Sequence, residues 1–298
     1  MSTEANISTM LQTKILPTVL GKLVIQPTAF DRIPEIEDYN RVGQTNVARV
    51  PRNINDFVVN TLADGAAVTP VTKSTDYIDV TASRKYVAEK LSPGWLTKAL
   101  PGTWTTKLSN MAESLYQSAV TVCLQAIADT SGIGSEGTDN VAITRATVQA
   151  TKSALTNAKI PGAGRIMAVS TQSQSDIASI SDYADAFSRN GNMLAENVPQ
   201  VAGFEVIEHL DVLIPDGTAG KENLAFWPQG VGRLHLSEDE NQGVDQRIMI
   251  QRMDYRGLKI YIWIEADPLT LGGVVLSMSH TSGYGVLRET AVVQLNGR

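Results

Sequence analysis

Hydrophobic positions in this chain switch between a two-residue and a four-residue rhythm, and each switch marks an element. Ile78, Val80 and Ala82 alternate with Tyr77, Asp79 and Thr81, the pattern of a strand with one face covered. Just upstream, Asp64-Gly65 is a turn signal and Pro70 interrupts the run, so residues 61–80 predict the tip and return arm of a projecting β ribbon. Strand-forming composition recurs at 45–51, 56–62 and 76–89.

The strongest helical pattern covers 102–130. Glu113, Gln117, Thr121, Gln125 and Asp129 form a polar stripe, and Leu108, Met111, Leu115, Ala119, Val122 and Ala126 lie opposite. Thr103 or Thr105 is the expected cap, Ser131-Gly132 the stop, and at 1.5 Å per residue the helix runs roughly 40 Å. A second helix is expected at 145–157, capped by Thr144, ended by Pro161 and Gly162, and buried through Val148, Thr151 and Leu155. A buried strand at 165–169 follows, and then a short helix to about Ile180 with Thr171 and Gln174 as its capping box. The polar stretch 181–200, with Asn190-Gly191, predicts a loop. Strands are expected at 203–215, 223–228, 246–253, 257–267, 273–279 and 285–295. Residues 1–40 are cut by Pro17, Pro27 and Pro34 and predict an arm rather than a domain.

Charge and composition narrow the chemistry. A net charge of −6 with scattered Lys and Arg offers no basic stripe, which disfavours tight direct DNA binding. The single cysteine, Cys123, excludes an intrachain disulfide and lies in an apolar helical context that makes a poor nucleophile. The most apolar short run, 259–266, is far below the ~18–20 residues of a membrane helix, so no membrane association is expected.

Three motifs imitate sites. Residues 132–137, Gly-Ile-Gly-Ser-Glu-Gly, match a dinucleotide-binding glycine pattern, but a long helix precedes them where that chemistry needs a strand. His209, His235 and His280 have no partner at metal-ligand spacing. Glu238, Asp239 and Glu240 lack the spacing of a Ca²⁺ loop. No catalytic, cofactor or metal residue is therefore assigned, and the chain is not expected to be an enzyme.

The order of the parts resembles that of the major capsid proteins of tailed bacteriophages, the Hong Kong 97-type fold. The sequence runs arm, ribbon, long helix, second helix, "KIPGAGRIMAVSTQSQSDI", "QVAGFEVIEHLDVLIPDG" and closing strands ending in "GYGVLRETAVVQLNG". The resemblance implies an α+β fold with an N-terminal arm at 1–40, an extended β loop at 41–90 and a peripheral domain with a spine helix at 91–160. An axial domain at 161–244 and C-terminal strands at 245–298 that return to the peripheral domain complete it. It also implies self-association into hexamers and pentamers of an icosahedral head, built in the host cytoplasm, that encloses double-stranded DNA without sequence-specific binding. The arm is too short for the removable scaffolding segment of some relatives, so a separate scaffolding protein is implied, with a portal protein and a cement or decoration protein as further partners.

Candidate contacts between subunits are Asp64, Gly65, Val68, Pro70, Lys73, Ile78 and Val80, because a ribbon that leaves its own core exposes edges and apolar side chains that a neighbour can cover. Lys73 is expected to be solvated rather than joined in an isopeptide bond. The alternatives are the shell of a bacterial encapsulin-type nanocompartment around an enzyme cargo, which shares the fold, and a nucleotide-dependent enzyme using 132–137.

Overall fold

The computed structural model describes residues 28–37, 39–42, 45–52, 76–92, 101–180, 200–217, 220–237, 248–266 and 273–298. The long amphipathic stretch forms helix α1, Pro101–Ala128, of 28 residues. It begins at a proline, whose fixed φ and missing N–H suit a first turn, so Thr103 and Thr105 lie inside the helix rather than at its cap. The polar stripe is knitted by hydrogen bonds from Gln117 to Glu113 (3.0 Å) and from Gln125 to Asp129 (2.8 Å). Leu108, Ala112, Leu115, Tyr116, Ala119, Val120, Cys123, Leu124 and Ile127 are buried, a wider face than the periodicity marks. Two sheets, not one, cover that face.

The first sheet has six strands in the order β5 (Gly134–Gly137), β14 (Val292–Gly297), β9 (Lys221–Phe226), β6 (Arg165–Ser170), β8 (Phe204–His209) and β7 (Gln200–Val201). Every residue of β6 is buried because both faces are covered. Ile166 and Ala168 share a core with α1, whereas Met167 and Val169 share another with α2 (Arg145–Asn157) and α3 (Thr171–Ala178). α2 has the expected limits, with the Thr144 side chain accepting from Thr147 N–H and Val148, Thr151 and Leu155 buried. α3 starts one residue earlier than expected: Ser170, the last residue of β6, is the cap and accepts from Ser173 N–H at 3.1 Å. The last strand, β14, closes this sheet through elements from both halves of the chain. It lies between β9 and the edge strand β5, where Val293 and Leu295 fill the core under α2.

The second sheet runs β10 (Val231–His235), β13 (Val274–Val286), β12 (Leu258–Ala266) and β11 (Ile248–Tyr255), with β4 (Ser83–Leu91) also paired to β13. Ile260, Ile262, Leu276 and Met278 lie in the core that contains α1. β11 and β12 are joined by Arg256-Gly257, both with positive φ (50° and 75°), the tight hairpin geometry that matches strand twist. β10 is absent from the sequence pattern, because its five residues follow a Trp-Pro-Gln-Gly punctuation that obscures it.

The third sheet is β1 (Asn40–Arg41), β2 (Val47–Pro51) and β3 (Tyr77–Thr81). The single strand expected at 76–89 is thus two, handed from one sheet to another at buried Ala82. β13 is conversely one strand of 13 residues where the pattern predicts a break at 280–284. Its glycines are there for close approach rather than for a turn: a methyl group at Gly283 would fall 2.7 Å from the Thr81 carbonyl oxygen, and one at Gly285 would fall 2.8 Å from Val80 Cγ2. Gly283→Ala is accordingly expected to destabilise the chain by about 1–3 kcal/mol in urea denaturation. A loss below about 0.5 kcal/mol would mean that the third sheet moves off β13 freely.

Candidate subunit interface

The third sheet stands where the sequence predicts the base of the β ribbon, whose residues 53–75 lie outside the described residues. Its inner residues Ala48, Val50 and Val80, with Ala82 just beyond β3, form a core with Ile36, Leu234 and Leu236 of the same chain, and half-buried Ile78 packs against it. Its outer face carries the Arg49–Asp79 pair, two hydrogen bonds of 2.9 and 3.0 Å that hold the Asp79 carboxyl below its ordinary pKa, and the exposed ring of Tyr77. Arg52, where the described chain leaves the base, bonds Asp76, where it returns, and also Glu289 beside β14. These contacts tie both ends of the ribbon base to each other and to the body.

Of the seven candidate contact residues, Val80 is corrected. It is 2% exposed and covered by its own chain, so its side chain has no surface left for a neighbour, and Ile78 leans on the same cluster. Alternation identifies which residues turn inward but not which segment supplies the opposing surface. Asp64, Gly65, Val68, Pro70 and Lys73 lie outside the described residues.

The second candidate surface is the root of the arm, for which the sequence pattern names no anchors. A 3₁₀ turn at Ala29–Arg32 closes with a capping box between Thr28 and Asp31. It drives Phe30 and Ile33, each 1% exposed, into the core against α1. The Phe30 ring meets Tyr116 and Tyr284 edge-on at 5.6 and 5.9 Å and lies under the Arg233 guanidinium at 5.2 Å. Tyr116 donates to Asp31 (2.9 Å), which leaves Thr28 to donate to the Tyr116 oxygen, and Arg256 pairs with Asp31 at 3.1 Å. The Thr-x-x-Asp box ahead of Ile33 is the local signal that could have found this turn.

The remaining chemistry is buried and quiet. Cys123 is fully enclosed, and burial pushes its thiol far above the reactive range. Burial lowers each of His209, His235 and His280 to a pKa of about 4, so all three are neutral at pH 7. Among the described residues, no three His, Cys, Asp or Glu side chains gather as a metal-binding group. The glycine motif is not a phosphate cradle: α1 precedes it and Gly134–Gly137 is the edge strand beside β14. No helix among the described residues is long and apolar enough to cross a membrane.

Solved structures supply the decisive comparison. The chain is similar to that of the Mycobacterium phage Che8 (TM-score 0.59, 15% identity, 93% of this chain and 99% of that one). It is similar to the asymmetric unit of the bacteriophage PhiM1 mature capsid (0.53, 13% identity, 92% and 91%). It also matches a virus-like particle from Pyrococcus furiosus (0.53, 13% identity, 95% and 96%). The chain has the Hong Kong 97-type capsid fold. No protein-family model and no curated protein matches it. In this chain the spine helix α1 is the element on which the arm root and two sheets converge. At such low identity the likeness is one of fold.

Proposed function

We propose that the chain is the major capsid protein of a tailed phage, a shell subunit that self-assembles into hexamers and pentamers around double-stranded DNA. The observation that carries this reading is correspondence over nearly the full length of both chains with structures described as capsids. The described geometry is compatible with it. A ribbon base clamped to the body and an arm root locked on the spine helix are what a subunit needs to present two extensions to its neighbours in a fixed direction. Head-to-tail repetition of one such contact generates closed rings.

Within this reading, Asp64, Gly65, Val68, Pro70 and Lys73 at the ribbon tip and Ile78 on its return arm make the contacts between subunits. The acidic balance of the chain leaves an enclosed genome free to move. A separate scaffolding protein, a portal and a decoration protein are the expected partners in the virion. The similarity to a virus-like particle supports a second reading, a compartment shell around another cargo.

Electron microscopy of the expressed chain, alone and with a scaffold, tests the assignment: closed shells or hexameric rings support it. A homogeneous monomer under every condition would remove it. Nucleic acid inside native particles supports the phage reading, and an enzyme inside them supports the compartment. Deleting residues 64–72 is expected to abolish closed particles while circular dichroism stays native. Normal particles from that deletion would show that the tip makes no essential contact.

A further inference from the structure

The clasp at the arm root contains one bond that depends on protonation. Ala29 N–H donates to His209 Nε2 at 3.3 Å, from the 3₁₀ turn to the end of β8, and His209 is 2% exposed. To accept, Nε2 must carry a lone pair. A proton on it turns the acceptor into a donor facing another donor, inside a buried site. We propose that His209 is the catch of an acid-released clasp that holds residues 28–33 to the body of the subunit.

The surrounding groups make His209 the first member of the clasp to fail on acidification. Asp31, on the same turn, is the charged group whose field favours a protonated ring, and Arg256 of the β11–β12 turn already neutralises that carboxylate. Tyr116, on α1, donates to Asp31 and stays neutral because burial raises its pKa far above the ordinary range. On the outer side, Arg32 pairs with Glu205 of β8 at 2.8 Å, both half exposed, so that pair contributes little. Burial outweighs Asp31 and lowers the ring pKa to about 4 while the clasp is closed. An open clasp returns the ring to water and to an ordinary value of about 6.5. Protons therefore favour the open state progressively from pH 6.5 downward, by about tenfold per pH unit until the closed-state value is reached. The clasp lies within one chain, so it stands or falls independently of the shell reading.

Hydrogen exchange followed by mass spectrometry on the full chain, corrected for intrinsic rates at each pH, tests the proposal. Between pH 7 and 4.5 the opening equilibrium of residues 28–36 is expected to rise roughly 60-fold, and at every pH these residues should open at a lower free energy than strands β6 and β9, which exchange by global unfolding. His209→Gln, whose side-chain oxygen accepts at every pH, should flatten that response to within about threefold. Equal responses in wild type and His209→Gln, or full protection of 28–36 at pH 4.5, would overturn the proposal. Should the variant not fold, ring-labelled histidine in the wild-type chain follows the same titration directly, since only three histidines contribute signals. The midpoint of the His209 resonance must coincide with the loss of protection. Titration of His209 without release, or release without titration, would refute the catch.

Discussion

Acidification from pH 7 to 4.5 is expected to remove most of the folding free energy of the unassembled chain. His209, His235 and His280 are buried and neutral, each with a pKa lowered to about 4, primarily by burial. In the unfolded chain the same rings titrate near 6.5. Between those values the unfolded state binds more protons, so stability is complete above pH 6.5 and declines as pH falls towards 4. His235 Nε2 shares a hydrogen bond with the Gly257 carbonyl, and its Nδ1 has no partner among the described residues, nor has Nε2 of His280. Charging either ring would bury an unpaired N–H, and the proximity of the two rings disfavours charging both. At pH 4.5 each histidine withdraws about 2–3 kcal/mol, and three together approach the roughly 5–15 kcal/mol of a whole domain. Asp79 and Asp176, both held below the ordinary carboxylate range, lose their contribution only at lower pH and do not set this window. Urea midpoints at pH 7, 6, 5 and 4.5 read the effect directly, and replacing all three histidines by glutamine should flatten the profile. A wild-type midpoint that does not move between pH 6.5 and 4.5 would mean that the rings titrate as if exposed.

Local signals in the sequence identify most elements, and nonlocal pairing decides what they build. α2 has the limits implied by Thr144, its alanines and Pro161-Gly162, because caps, propensity and breakers all act within a few residues. β6 is legible as a buried strand for the same reason. Sheet membership is not legible. Residues 76–89 carry one continuous strand pattern, yet Ala82 passes the chain from β2 to β13, and nothing in the local alternation records that exchange. Gly283 and Gly285 resemble turn residues in sequence, whereas the third sheet requires their missing side chains. Val80 shows the same limit at the candidate interface: its inward orientation is legible, and its partner, supplied by residues 36, 234 and 236, is not. The His209–Ala29 bond joins positions 180 residues apart and has no signature in either segment.

Phe30→Ala is expected to destabilise the chain by about 3–5 kcal/mol, the range for emptying an aromatic site in a core. The ring is 1% exposed and touches three elements: α1 through Tyr116, β13 through Tyr284 and β10 through Arg233. Truncation removes its transfer free energy, two edge-on aromatic contacts of about 0.5–1.5 kcal/mol each, and the π face beneath a guanidinium. That last loss is not compensated locally, since Nε and Nη1 of Arg233 have no hydrogen-bond partner among the described residues. The polar half of the clasp cannot substitute for it, because Thr28, Tyr116, Asp31 and Arg256 are aligned by the same turn that inserts Phe30. Arg32→Ala supplies the control: it removes a half-exposed ion pair with Glu205 from the same turn and should change stability by less than about 1 kcal/mol. Urea denaturation of the two variants separates anchoring by burial from anchoring by surface charge. If Phe30→Ala and Arg32→Ala were equally mild, residues 28–33 would rest on the surface of the fold instead of being rooted in its core. A large loss confined to Phe30→Ala would make helix α1 the element on which residues 28–33 are anchored.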